Sequence, residues 1–176
     1  RAYRAKNLII TKTEQGYVLY AVNETPAASE FEIEYGLMMQ SGEKKLEKKT
    51  KITVGAYSSQ QIYCFGEEPD KDCVMYALGT ADGERCQTTL FAKLWKDISW
   101  CEPELVYEEK KNGDVLEITI RTKNYARAVN LTSEKESLAY SDNYFDMLPG
   151  EVKTVRISGA DVGDVEVKTW CDDWVR

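Results

Sequence analysis

The chain has 176 residues, with 23 Lys and Arg, 30 Asp and Glu, no histidine and a formal net charge of −7. A complete (β/α)₈ barrel needs roughly 250 residues, so that fold is excluded. Without histidine there is no Ser-His-Asp triad, no Cys-His pair and no imidazole metal ligand, so acid/base chemistry would rest on carboxylates, Lys, Tyr or Cys. The sequence pI of about 4.8 argues against a nucleic-acid partner and against docking on anionic lipid. The sequence contains no long apolar run of membrane-spanning length, so no membrane partner is expected either. The first residue is Arg1 rather than Met, which is expected of a processed precursor or an excised fragment.

In chain order, Gly16–Asn23 reads as a strand. Phe31–Leu37 reads as another, with apolar and acidic residues alternating at period two. That alternation places Glu30, Glu32 and Glu34 on one face, opposite Phe31, Ile33 and Tyr35. The segment Ser41–Lys51 carries five lysines and one apolar residue, Leu46. A single apolar residue cannot anchor a helix, so the segment reads as a solvated strand edge or loop. Further strands are expected at Thr50–Val54, Gln61–Phe65, Cys73–Leu78, Gln87–Leu94, Asp114–Thr122, Arg127–Thr132, Lys153–Ile157 and Asp164–Thr169. Asp82-Gly83 and Asn112-Gly113 supply residues that accept positive φ in tight hairpins, and Pro149-Gly150 marks another turn.

The run Leu94–Pro103 separates two sets of strands. Residues 1–95 hold 12 basic and 13 acidic groups, and residues 96–176 hold 11 and 17. The pattern predicts an all-β chain of two consecutive immunoglobulin-like β-sandwich domains, residues 1–95 and residues 96–176.

The cysteines are Cys64, Cys73, Cys86, Cys101 and Cys171. No Cys-x-x-Cys pair occurs, so neither a metal site nor a cofactor is expected. Buried thiols are the favoured reading, with a Cys101–Cys171 disulfide left open. Asn23-Glu24-Thr25 and Asn130-Leu131-Thr132 fit the glycosylation sequon, which does not by itself establish secretion.

The most specific stretch is Ser141-Asp142-Asn143-Tyr144-Phe145-Asp146-Met147-Leu148-Pro149-Gly150-Glu151. It reads as a strand end, a polar turn, a short apolar stretch and a tight turn. Asp142 and Asn143 can bond nearby backbone N–H groups. Tyr144 and Phe145 are expected to plug the end of the core, with Tyr144 in the manner of a corner tyrosine. Ser141, Asp142, Asn143, Tyr144, Phe145, Pro149 and Gly150 thus form a structural motif.

This motif, followed by Lys153-Thr154-Val155, resembles the C-terminal immunoglobulin-like domain of β-mannosidases, which are family 2 glycoside hydrolases. Arg1-Ala2-Tyr3-Arg4 is similar to the segment that leaves the catalytic barrel of that family. The resemblance implies a parent enzyme that removes terminal β-D-mannosyl residues. It also implies that the two catalytic glutamates lie in a barrel outside this chain, so no catalytic residue is assigned here. The implied partners are the barrel and N-terminal domains of the same parent, and the compartment is that of the parent. Residues 1–95 would be the carbohydrate-module-like sandwich after the barrel. Glu30, Glu32 and Glu34, and likewise Glu108 and Glu109, read as solvent-facing strand positions.

A rival reading is an independent carbohydrate-binding or adhesion sandwich, with oligosaccharide as partner. Its candidate contacts are Trp100, Trp170 and Trp174, because exposed aromatic rings stack on sugar faces. Packing is the simpler role for such large rings, and Trp95 and Trp100 flank the domain junction.

Overall fold

The computed structural model describes residues 4–135, 137–159 and 161–173. The described residues form strands joined by turns and two short 3-10 turns, with no α-helix among them. Two units divide the chain: residues 4–39 with 43–98, and residues 40–42 with 99 onward.

Among the described residues the first unit has seven strands: β1 (Lys6–Thr13), β2 (Gly16–Asn23), β3 (Ser29–Met39), β4 (Lys44–Val54), β5 (Ser58–Gly66), β6 (Cys73–Ala81) and β7 (Glu84–Phe91). They make a three-stranded sheet β1-β2-β5 and a four-stranded sheet β4-β3-β6-β7, antiparallel throughout. In a constant-type immunoglobulin sandwich the fourth strand joins the sheet of the first two. Here it pairs with the third instead.

Period-two alternation decides what goes inside. Phe31, Ile33 and Tyr35 of β3 join Leu8, Ile10, Leu19, Ala21, Met75 and Ala77 in one core, while Glu30 and Glu32 face out. The lysine-rich segment is strand, not helix: it pairs with β3 along its length and forms the exposed edge of its sheet. Edge lysines deter pairing with another sheet.

Two-residue hairpins match their residues. Asp82 (φ 48°) and Gly83 (φ 83°) both adopt the left-handed conformation between β6 and β7. Asn23 is fully buried. Its Nδ2 donates to the carbonyls of Ala27 (2.8 Å) and Gly55 (2.9 Å), while Oδ1 accepts from Thr25 N–H (3.0 Å). The first sequon is therefore a structural turn.

The described residues of the second unit also form seven strands: β8 (Leu105–Asn112), β9 (Val115–Thr122), β10 (Ala126–Thr132), β11 (Ala139–Tyr140), β12 (Phe145–Met147), β13 (Val152–Ser158) and β14 (Glu166–Lys168). The sheets are β11-β13-β9-β8 and β12-β10-β14. Leu116, Ile118 and Ile120 of β9 alternate inward against Val129, Leu131, Phe145, Met147, Val155 and Ile157. Opposite them on the outer face, Thr119 and Thr154 share a hydrogen bond (3.0 Å) and Arg156 pairs with Glu117 (2.9 Å). Strand β8 is exposed along nearly its whole length, which is why no period-two signal marks it in the sequence.

Gly36 and Gly79 sit within β3 and β6 where neighbouring backbone comes very close. A Cβ at Gly79 would lie 1.9 Å from the Glu32 carbonyl oxygen, and one at Gly36 would lie 1.8 Å from that of Leu46. Neither carbonyl can swing away without breaking the ladder. Gly79→Ala should therefore destabilise the chain by about 1–3 kcal/mol in urea denaturation, the usual cost of overpacking. Gly55→Ala serves as the control, since its Cβ would meet no backbone, only the Ser58 Oγ at 3.3 Å. Equal effects of the two substitutions would contradict this account.

Candidate functional site

The motif at 141–151 is a hydrogen-bonding device built from side chains. Strand β12 is only three residues long, and its register with β10 shifts between Ala126 and Val129. At the bulge Ala128 has φ 46°. Asp146 accepts there twice, from Ala128 N–H (2.9 Å) and from the Tyr125 hydroxyl (2.9 Å). Asn143 does the same for Leu131: Oδ1 accepts its N–H (2.9 Å) and Nδ2 donates to its carbonyl (2.9 Å).

The flanking residues finish the job. Asp142 accepts from Asn143 N–H (2.9 Å) and pairs with Lys153 (2.6 Å), whose ammonium lies 4.0 Å from the Phe145 ring centroid. Ser141 and Arg156 exchange bonds through Ser141 N–H (2.8 Å) and Ser141 Oγ (2.9 Å). Pro149 and Gly150 (φ 77°) turn the chain, closed by Glu151 N–H donating to the Leu148 carbonyl (3.0 Å).

Phe145 is buried, as expected of a plug, but Tyr144 is not. Tyr144 is 66% exposed with φ 56°. Tyr144 precedes β12 in a left-handed turn conformation, outside the strand whose Phe145 and Met147 point into the core. The buried tyrosine is Tyr125, held by Asp146.

The tryptophans divide by exposure. Trp100 is buried (8%), so its face is closed to a sugar, which corrects the expectation for that ring. Trp170 is 40% exposed and Trp95 is 51% exposed. Trp174 lies outside the described residues.

The carboxylates on the outer face of β3 are held by lysines of β4. Glu34 meets Lys44 (2.8 Å) and Lys49 (3.1 Å), and Lys51 meets Glu32 (3.0 Å) and Glu30 (3.4 Å). Between this row and β6 lies an open depression of about 550 Å³ whose rim includes Glu32, Glu34, Lys49 and Gly79. Burial opposes ionisation of Glu34, but Lys44 and Lys49 outweigh it and hold the carboxyl below its ordinary value. Lys6 and the Glu30 backbone N–H lower Asp82 in the same way. Burial pushes the thiols of Cys73 and Cys86 up to about 11, so both are protonated and poor nucleophiles at neutral pH. No disulfide links Cys101 to Cys171. Glu108 and Glu109 are adjacent in β8 and so project to opposite faces.

A second cavity, about 670 Å³, opens in the second unit. Its lining comes from β8 (Tyr107), the end of β10 with the following turn (Thr132 to Lys135) and the segment before β14 (Asp161 to Glu166, without Val162). No signal in the sequence marks it, because β8 carries no alternation to mark it as a strand. Among the described residues no three carboxylate or cysteine side chains are placed to hold a metal ion.

Residues 100–170 match the family model Ig_mannosidase, an Ig-fold domain. None of the curated proteins matches the chain. Among solved structures, the β-D-mannosidase of Dictyoglomus thermophilum superposes with TM-score 0.83 over 97% of this chain, at 19% identity. The exo-chitosanase CsxA of Amycolatopsis orientalis superposes with TM-score 0.63 over 93%, at 15% identity. The chain spans 22% of the first structure and 25% of the second.

Two outcomes follow. Asn143→Ala strips Leu131 of both bonds and should cost about 1–3 kcal/mol, whereas Tyr144→Gly relieves a left-handed tyrosine and should raise stability by about 0.5–1 kcal/mol. Urea denaturation checks both signs. The depressed carboxyls of Glu34 and Asp82 contribute stability above about pH 4 that is lost as pH falls through their folded values. The raised lysines lose theirs only above about pH 10. The melting temperature should therefore fall on acidification below about pH 4, less steeply in Asp82→Asn and Glu34→Gln. Identical acid limbs in all three chains would contradict this.

Proposed function

Starting from a mannosidase-type Ig-fold domain at residues 100–170, we propose that the chain is the accessory C-terminal region of a β-mannosidase-like family 2 glycoside hydrolase. Its work is to brace a catalytic barrel, and the parent removes terminal β-D-mannosyl residues with retention. One observation carries this reading. Nearly the whole chain superposes on part of a β-D-mannosidase, so both units match in order as well as in fold.

The carboxylates support it. Retaining hydrolysis needs two carboxyl groups about 5–5.5 Å apart across the scissile bond. Those on β3 are instead spread along one flat strand face and neutralised by lysines. A carboxylate held below its ordinary value, like Glu34, is a poor general acid. The motif supports it as well. Ser141, Asp142, Asn143, Asp146 and Glu151 spend their polar atoms on backbone and neighbouring side chains, which makes a rigid body suited to bracing.

Removing residues 96–176 from the parent enzyme tests the role. The melting temperature should fall, while kcat on a chromogenic β-mannoside stays within about twofold, since uniform support leaves the chemical step alone. The isolated 176-residue chain should show no hydrolysis. An unchanged melting temperature overturns the bracing role, and hydrolysis by the isolated chain overturns the accessory reading.

A further inference from the structure

We propose that the cavity beneath β8 is a saccharide-binding subsite in which Tyr107 is the stacking platform and Glu134 and Asp164 accept sugar hydroxyls. Strand β8 is the outer strand of a four-stranded sheet, and the sheet opposite it has three strands. Tyr107 pairs with Ile120, a fully buried position, so its side chain lies on the core-facing side. Yet Tyr107 is 42% exposed and lines the cavity. The inner face of β8 overhangs the open side of the sandwich, and an aromatic ring is presented there.

The opposite wall is fixed in place. Ser133 Oγ donates to the Val162 carbonyl (2.9 Å), tying the turn after β10 to the segment before β14. Lys135 pairs with Asp161 across the same gap (2.7 Å). Gly163 (φ 63°) lets the Lys135 stem pass, since a Cβ there would meet Lys135 Cγ at 2.9 Å. The cavity is thus a bound-up shape made from three parts of the chain, with a volume in the range of ligand pockets.

Its chemistry selects the ligand. The lining carries more carboxylates than cations, which repels phosphates, nucleotides and other anions. It is too polar for a lipid chain. Glu134 and Asp164 make no ion pair among the described residues, so their oxygens can accept hydrogen bonds, and Thr132 is exposed nearby. A pyranose ring matches this set: a C–H face for the aromatic ring and an edge of hydroxyl donors for the carboxylates. This inference is separate from the bracing role, because a subsite on β8 needs no barrel.

The test is an NMR titration of the 176-residue chain with β-1,4-mannotetraose and, separately, cellotetraose. Backbone amide shifts should change at Tyr107, Thr132 to Lys135 and Asp161 to Glu166, saturating in the millimolar range. Tyr107→Ala should weaken binding about tenfold, Tyr107→Phe should stay within about twofold because the ring remains, and Asp164→Asn should weaken it severalfold. No shift with either sugar at about 10 mM overturns the proposal. So do shifts centred on Trp170, or equal affinities of the alanine and phenylalanine variants. A Tyr107→Ala chain that fails to fold leaves the phenylalanine and asparagine variants to decide. Loss of the subsite would leave the truncation experiment on the parent untouched.

Discussion

The clamp that Asn143 and Asp146 place on β10 is what the second unit depends on. One of its sheets has outer strands of only three residues each, too short to hold the central strand by ladder bonds alone. The strand they flank is also broken by a bulge at Ala128. Two side chains supply what the backbone lacks: Asn143 completes Leu131, and Asp146 satisfies Ala128 while holding Tyr125 in the core. A buried backbone group left unmatched costs about as much as a lost hydrogen bond, so the motif is polar for a structural reason. The apolar core can then close between this sheet and the inward face of β9.

Edge strands β4 and β8 solve a different problem. Strand β4 carries its lysines outward against glutamates of β3, so its exposed edge is charged yet locally neutral. Strand β8 places charged residues on both faces, including Glu109 and Lys111 at inward-facing register positions. Both devices deter strand addition. In β8 the same arrangement leaves the side of the sandwich open, with Tyr107 over the gap.

Most of the fold was legible because alternation is a strong signal wherever one face is buried. Phe31, Ile33 and Tyr35 in β3 show it, as do Leu116, Ile118 and Ile120 in β9, and Asp82-Gly83 announces its hairpin. Strand β1 escaped because Leu8-Ile9-Ile10 is a continuous apolar run that hides the outward turn of Ile9. Strand β8 escaped because it buries almost nothing. The motif was legible as structural, but not which aromatic it buries. Tyr144 sits in a left-handed turn just before β12, where strand alternation does not apply. Choosing tryptophans by residue type alone could not separate buried Trp100 from exposed Trp95 and Trp170. The cavity beneath β8 was beyond reach, since its walls come from segments that only the topology brings together.

Asn23 shows how one side chain can be claimed by two chemistries. Its amide nitrogen already serves the carbonyls of Ala27 and Gly55 at full burial. An attached glycan would occupy that same nitrogen, so the folded turn and a sugar on this residue are mutually exclusive. In a host that modifies such triplets while the chain is still emerging, folding and glycosylation would race for one atom. A chain that lost the race would be barred from its own first sandwich. Recombinant production in such a host would then yield two populations, separable by mass, of which only the unmodified one is native.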